Sequence, residues 1–199
     1  MFTGIIEAIG VVENIRYTDS NIHFTISCPF TQELKIDQSV AHNGCCLTVV
    51  ETNAQNYTVT AIGETLEKTN LGKWQIGSLI NLERCVKIDG RLDGHIVQGH
   101  IDQIGNVISI ENKDGSYLIT IRYEAKNNFA TVAQGSISVN GISLTVANSE
   151  VGEFSVAIIP YTWENTNLKE LKIGDSVNLE FDIIGKYVAQ LTNQYHGSK

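Results

Sequence analysis

A chain of 199 residues that is 42% hydrophobic and 18% charged has ordinary globular composition. Its net charge of −8 argues against a nucleic-acid partner, which would need a basic face. No apolar run approaches the roughly 20 residues of a membrane span, and Met1–Glu7 lacks the basic start of a secretory signal, so no membrane partner and a cytoplasmic location are expected.

The segments are short, rich in Val, Ile and Thr, and broken by Gly, Asn and Asp every 8 to 12 residues or so, a pattern that reads as all-β. Ile5 to Val12 is the first predicted strand. Ile22 to Cys28 is the second, with Ile22, Phe24, Ile26 and Cys28 alternating onto one face. Ser39 to Ala41 enters a third strand. Asn43-Gly44 follows as a turn, because both residue types accept positive φ. Leu47 to Glu51 leaves the turn, Asn53 to Asn56 turns again, and Tyr57 to Ile62 is the next strand. Glu64 to Gly72 is a short helical candidate, with Thr65 as N-cap and Gly72 as stop. Leu79 to Val86 closes the unit. Pro29 and Pro160 sit at strand ends, where a missing N–H does no harm.

This order then recurs. Ser39-Val40-Ala41-His42-Asn43-Gly44-Cys45-Cys46-Leu47-Thr48-Val49 is echoed 97 positions later by Ser136-Ile137-Ser138-Val139-Asn140-Gly141-Ile142-Ser143-Leu144-Thr145-Val146. The register holds through Thr65/Thr162, Thr69-Asn70-Leu71/Thr166-Asn167-Leu168 and Asn81-Leu82-Glu83/Asn178-Leu179-Glu180, with about 18 of 45 paired positions identical. Gly4 and Ile9-Gly10 pair with Gly99 and Ile104-Gly105 at an offset of 95. Each copy is long enough for its own core. The expected architecture is all-β: two similar six-stranded Greek-key barrels in tandem, residues 1–90 and 91–182, closed because closure removes exposed edges. Residues 183–199 differ. Ile184, Tyr187, Val188, Leu191 and Tyr195 fall at helical spacing, with Lys186, Gln190 and Asn193 opposite. A helix this short needs a partner surface, on the barrels or on copies of itself. The pseudo-symmetry predicts two similar pockets per chain.

Cys28, Cys45, Cys46 and Cys85 show no metal-finger spacing and are expected to be reduced, with Cys46 free to face a pocket and Cys45 pointing the other way. In Gly94-His95-Ile96-Val97-Gln98-Gly99-His100-Ile101-Asp102, a straight strand would put the two histidines on opposite faces. They would not chelate one metal, and His100, sharing a face with Gln98 and Asp102, is the better pocket candidate. No phosphate loop, dinucleotide fingerprint or nucleophile elbow is present. No metal and no cofactor are expected.

Several motifs occur together in one order: Met1-Phe2-Thr3-Gly4-Ile5, His42-Asn43-Gly44-Cys45-Cys46-Leu47-Thr48-Val49, Glu64-Thr65 with Thr69-Asn70-Leu71-Gly72, Gly94-His95-Ile96-Val97-Gln98-Gly99-His100, Gly141-Ile142-Ser143-Leu144-Thr145, and Ile159-Pro160 with Thr162. The ordered set, over nearly the whole chain, resembles the riboflavin synthases. That resemblance implies a cofactor-free dismutation of two 6,7-dimethyl-8-ribityllumazine molecules, in which a four-carbon unit passes from one to the other. It gives riboflavin and a ribitylaminopyrimidinedione. The 7-methyl proton is acidic because its anion spreads into the pteridine ring, so the protein's task is to stack two rings and manage protons.

By the same resemblance a first-domain pocket uses Gly4, Ile5, Ile6, Cys46, Leu47, Thr48, Thr60, Ala61, Ile62, Gly63, Glu64 and Thr65, with Gly99, His100 and Ile101 crossing over. A second uses Ser143, Leu144, Thr145, Ile159, Pro160, Tyr161, Thr162, Trp163 and Glu164. Gln134 is counted there too, where many members have Lys; Asn140, Tyr161 and Asp93 also depart from frequent family residues. Ser39, Cys46 and His100 are the candidates for nucleophile and proton handling. The resemblance further implies a homotrimer, with pockets between chains and the C-terminal helices at its centre, and association with lumazine synthase. The alternative is a non-catalytic lumazine- or flavin-binding antenna protein of the same fold, in which the His-Asn-Gly-Cys-Cys and Gln-Gly-His motifs tend to be lost. A reductase flavin barrel would need a nicotinamide domain.

Overall fold

The computed structural model describes residues 1–125 and 130–196, the last four of these by backbone alone, so the side chains of Asn193 and Tyr195 lie outside the described residues. The first copy contains β1 (Ala8–Thr18), β2 (Asn21–Ser27), β3 (Ser39–His42), β4 (Cys45–Thr52), β5 (Tyr57–Ala61), α1 (Gly63–Lys68) and β6 (Leu79–Arg84). The second contains β7 (Gln103–Asn112), β8 (Tyr117–Arg122), β9 (Ser136–Val139), β10 (Ile142–Glu150), β11 (Glu153–Ile158), α2 (Pro160–Asn165) and β12 (Ser176–Phe181), and is followed by α3 (Ile183–His196). Each set of six strands closes into an antiparallel barrel, in the orders β1-β2-β5-β4-β3-β6 and β7-β8-β11-β10-β9-β12. Among the described residues no helix is long and apolar enough to cross a membrane.

The alternation read from the sequence sorts side chains as expected for a filled small barrel. Ile22, Phe24 and Ile26 of β2 point inward with Val40, Leu47, Val49, Val59, Ile80 and Leu82. Val107, Ile119, Ile121, Ile137, Leu144, Val146, Val156 and Leu179 fill the second barrel separately. Cys45 faces the first core and Cys46 the outside, and all four cysteines are free thiols. His42 is also interior. Its Nδ1 lies 2.9 Å from the Val40 carbonyl and its Nε2 2.8 Å from the Tyr57 hydroxyl. A carbonyl only accepts, so Nδ1 carries the proton and Tyr57 donates to Nε2. Burial holds His42 well below the ordinary imidazole range, at about 4, and it is a neutral structural residue.

Three local expectations are corrected. The first strand starts at Ala8, not Ile5, because Gly4 turns the chain with φ +78 and the preceding N–H groups are committed to Glu83; it then runs past Val12 over a bulge to Thr18. Helix α1 begins at Gly63, so Thr65 lies inside it. The helix stops at Lys68, where the Thr69 hydroxyl donates to the Thr65 carbonyl at 2.7 Å, and Gly72 belongs to a separate 3₁₀ turn. Thr166 repeats this stop on Thr162 after α2, whose first residue is Pro160. Finally, residues 94–102 form no strand. Val97 makes one bridge with Phe2, and Gly99 takes φ +84, so the opposite-face argument for His95 and His100 does not hold.

The barrels meet across a pseudo-twofold seam made largely of duplicated asparagines. Asn43 and Asn140 stand in the two turns with φ +45 and +46, and each side-chain oxygen accepts the backbone N–H of Asn81 or Asn178 in its own barrel. Asn81 Nδ2 then crosses to the Asn140 carbonyl, and Asn178 Nδ2 crosses to the Asn43 carbonyl, both at 3.0 Å. The backbone N–H groups of Asn167 and Asn70 donate back to Asn81 and Asn178. These amides are buried and reciprocally bonded, so they fix one relative orientation of the barrels where apolar contact would permit sliding.

Within one chain, helix α3 leaves its apolar stripe exposed and touches the second barrel through its polar side. Lys186, on the polar side, docks on the second barrel, where its Nζ bonds both Asp102 carboxylate oxygens. Ile184, Tyr187, Val188 and Leu191 are each more than half exposed.

Candidate active site

The outer face of each β-hairpin beside the seam carries the sequence-predicted polar residues. On the first barrel, strand register places Ser39 opposite Thr48 and Ala41 opposite Cys46, with Val40 and Leu47 turned inward. On the second, Ser136 faces Thr145 and Ser138 faces Ser143. Each face is then crossed by an arm from the other copy. The Gly99 carbonyl accepts the Cys46 N–H at 2.9 Å, and the Gly4 carbonyl accepts the Ser143 N–H at 2.8 Å. Both arm residues must be glycine. A Cβ on Gly99 would lie 2.5 Å from Cys46 Cβ, and one on Gly4 would lie 2.6 Å from Ser143 Cβ.

Two buried carboxylates hold the arms. Glu83 accepts from the Thr3 N–H and hydroxyl, both at 2.7 Å, and from the Gly4 N–H at 2.9 Å. Glu180 accepts from the N–H groups of Gln98, Gly99 and His100 at 2.6, 2.9 and 3.0 Å. Burial pushes both carboxyls up, and these bonds pull the other way; for Glu180, Lys186 also helps. Phe2 lies fully buried between Ala41, Val97 and Cys46 and completes the floor under Gly99.

The site residues therefore sort differently from the expected grouping. Gly99, His100 and Ile101 do cross to the first barrel, where Ile101 enters the core and His100 is exposed. Gly4 and Ile6, expected in the first pocket, reach the second barrel instead, where Gly4 bonds Ser143 and Ile6 packs on the core, while Ile5 borders the recess beside Ser39. The chain reaches across before it enters β1. Leu47, Ala61 and Leu144 bury their side chains in the barrels, so only their main chain faces outward. Thr60 bonds His23, and Glu64 pairs with Lys68 on the surface. Trp163 stacks on Tyr117 at 3.8 Å, pinning α2 to the second barrel where Leu66 anchors α1 to the first. Gln134 is exposed with φ +65.

The chemistry of the two faces is unequal. On the first, burial raises the Cys46 thiol and a hydrogen bond with Ser39 opposes it, so at neutral pH Cys46 is a thiol rather than a thiolate. A recess of about 590 Å³ opens beside Ser39, lined also by Thr3, Ile5, Glu83, Arg84 and Cys85. On the second face, Ser143 Oγ lies 2.6 Å from Nδ1 of His95, whose pKa is lowered by burial and raised by Asp182. Sequence reasoning gave no role to Phe2, Glu83 and Glu180, although the repeat pairs the two glutamates, and it ranked His95 below His100. Ile62, Ile5, Ile159 and Tyr161 are exposed around the two faces. Among the described residues no group of three or more His, Cys, Asp or Glu is placed to hold a metal ion.

Comparison with known proteins gives this arrangement a family. The lumazine binding domain family matches residues 3–85 and 98–182, one match over each barrel with its arm. Riboflavin synthase of Actinobacillus pleuropneumoniae is 40% identical over 191 residues, 96% of this chain and 89% of that one. Riboflavin synthase of Bacillus subtilis (strain 168) is 34% identical over 200 residues, covering 100% and 93%. The crystal structure of LumP complexed with riboflavin shares the fold, with TM-score 0.85 at 21% identity over 91% of this chain and 99% of that chain. The LumP complex with 6,7-dimethyl-8-(1'-D-ribityl) lumazine gives TM-score 0.82 at 22% identity over 90% and 98%. With both barrels matched as lumazine-binding repeats and the enzymes aligned nearly end to end, the chain belongs to the riboflavin synthase family.

Proposed function

We propose that the protein dismutates two molecules of 6,7-dimethyl-8-ribityllumazine to riboflavin and 5-amino-6-(ribitylamino)pyrimidinedione by four-carbon transfer. The observation that carries this reading is the pair of hairpin faces, each crossed by the other copy's arm. Two identical substrates need two similar faces, and the unequal side chains let one molecule donate and the other accept. On the first barrel, Ser39, Cys46 and His100 handle protons, and Thr48 with residues 60–65 binds the ring and ribityl chain. On the second, Ser143, Thr145 and residues 159–164 bind with Gly4 and Ile6, and Ile5 borders the first. Main-chain groups of Leu47 and Leu144 complete the frames, and Gln134 borders the second.

Among the described residues both faces are open, and the apolar stripe of α3 is more than half exposed. This supports a homotrimer in which the first barrel of one copy meets the second barrel of another around the α3 helices. A cytoplasmic location and association with lumazine synthase belong to the same reading. The test is to incubate the purified protein with the lumazine, in EDTA and without nucleotide. Riboflavin absorbance should rise, with one riboflavin formed for every two lumazines consumed. Lumazine binding without turnover would point instead to the antenna role.

A further inference from the structure

The acidic residue that follows each arm is neutralised in two different ways. Glu7 and Asp102 occupy equivalent positions: the backbone N–H of each bonds its own barrel, to the Leu82 and Leu179 carbonyls. Each side chain accepts the backbone N–H of the paired closing strand, from Arg84 in the first copy and Phe181 in the second, both at 2.8 Å. In the first copy the countercharge is local, because the Arg84 guanidinium returns to Glu7 at 2.7 and 2.9 Å. In the second copy Phe181 stands where Arg84 would, and it packs in the core. The cation comes from helix α3 instead, as Lys186 at 2.6 and 2.7 Å from the Asp102 oxygens. This pair is the better shielded of the two: Lys186 and Asp102 are 19% and 12% exposed, against 36% and 32% for Arg84 and Glu7.

Asp102 is two residues from His100. Glu180, which holds the N–H groups of Gln98, Gly99 and His100, also lies in the field of Lys186. One ammonium thus balances both carboxylates that fix the Gln98–Ile101 arm. Among the described residues, the first copy's arm, Thr3–Gly4, has no such tie to the C-terminal helix.

We propose that Lys186 is a positioning residue for the first-barrel site: by pairing with Asp102 it holds the arm that carries His100 and bonds Cys46 through the Gly99 carbonyl, and it couples that arm to the docking of helix α3. The proposal rests on the reading of the first-barrel face as a substrate site. It gives α3 a task on its inner face that is separate from any role of its exposed stripe.

The test uses the full-length protein and the variants Lys186→Met, Lys186→Arg, Asp102→Asn and His100→Gln. It combines steady-state turnover of the lumazine with hydrogen–deuterium exchange of segments 98–102 and 2–6. Lys186→Met is expected to lower turnover about tenfold, within the usual range of coupling between packed elements. It should speed exchange in 98–102 while leaving 2–6 unchanged. Lys186→Arg should restore most of both, and Asp102→Asn should reproduce the loss. Should Lys186→Met not accumulate as folded protein, the near-isosteric Asp102→Asn carries the same expectation. Wild-type turnover and exchange in Lys186→Met or Asp102→Asn, or equal loosening of both segments, overturns the proposal. Loss of turnover in His100→Gln alone overturns it and leaves the site reading standing. No loss in His100→Gln removes the site reading and the proposal together.

Discussion

Gly44 and Gly141 meet back to back on the pseudo-twofold axis: a Cβ on Gly141 would lie 2.6 Å from the Gly44 nitrogen, and one on Gly44 would lie 2.8 Å from the Gly141 nitrogen. Both also have positive φ, +81 and +79. Gly141→Ala therefore meets backbone strain and a clash with backbone that has no room to move. We expect a loss of about 2–4 kcal/mol. The check is a shift of the urea midpoint at unchanged slope, measured at fixed protomer concentration. An unchanged midpoint would show that the seam relaxes.

The seam also ranks its asparagines. The Asn81 side chain donates to the Asn140 carbonyl and to Asn167 Oδ1, and accepts the Asn167 N–H. The Asn70 side chain donates to the Ser176 carbonyl, and its buried Oδ1 has no hydrogen-bond partner among the described residues. Asn81→Ala leaves several buried groups unpaired and should cost about 3 kcal/mol, whereas Asn70→Ala should cost about 1. Equal losses in chemical denaturation would mean that packing, not hydrogen bonding, sets the seam.

His42 predicts the acid limb of stability. Its folded pKa is about 4, below the ordinary 6.5, so between these values the unfolded chain binds a proton that the folded chain does not. Stability from this group is full above pH 6.5 and is lost as pH falls toward 4, by on the order of 3 kcal/mol. Denaturation midpoints at pH 7, 6, 5 and 4.5 measure the slope. His42→Leu, though less stable, should show a shallower dependence. The same slope in both proteins would assign the acid response to other groups.

How far this was visible beforehand depended on the range of the interaction. The alternation of Ile22, Phe24 and Ile26 and the Asn43-Gly44 turn are local, and both read correctly from the chain. A repeat aligns Asn43 with Asn140, but it does not say that each amide reaches across to the other's barrel. Glu83 and Glu180 were visible as a duplicated pair. Their meaning lay in N–H groups about 80 residues away, which no spacing rule reaches. The histidine argument failed for a similar reason. It assumed an extended strand over residues 94–102, whereas Gly99 turns there to let the arm approach Cys46. Ile5 looked like the start of a strand because its apolar neighbours suit one, but the carboxylate of Glu83 claims the backbone just before it.

Assembly is predicted to depend on the outer face of α3. Replacing exposed Val188 and Leu191 together by Glu leaves the Lys186 contact in place and puts charge on the stripe. Sedimentation should change from trimer to monomer, with circular dichroism of the barrels retained. A variant that still sediments as a trimer would move the contact onto the barrels.

Catalytic roles should separate from binding roles. His100→Gln and Ser39→Ala are expected to lower kcat by about 10- to 100-fold, the scale of one proton-handling group. Thr145→Val should act mainly on KM, because its exposed hydroxyl lies on the second face, whose assigned role is binding. If kcat held in both of the first two variants, proton handling would belong to the second barrel, where Ser143 and His95 are the hydrogen-bonded pair.

The crossing of the arms changes how this duplicated chain can diverge. A tandem repeat whose halves were self-contained would let each accumulate substitutions on its own. Here residue 4 must fit residue 143, and residue 99 must fit residue 46, with less room than a methyl group at either place. A change in one half is therefore screened by the geometry of the other. Among relatives, positions 4 and 99 should stay glycine, and positions 143 and 46 should keep small side chains that fit beneath them. The two halves are inherited as one unit, and mutational drift in either is held back by its neighbour.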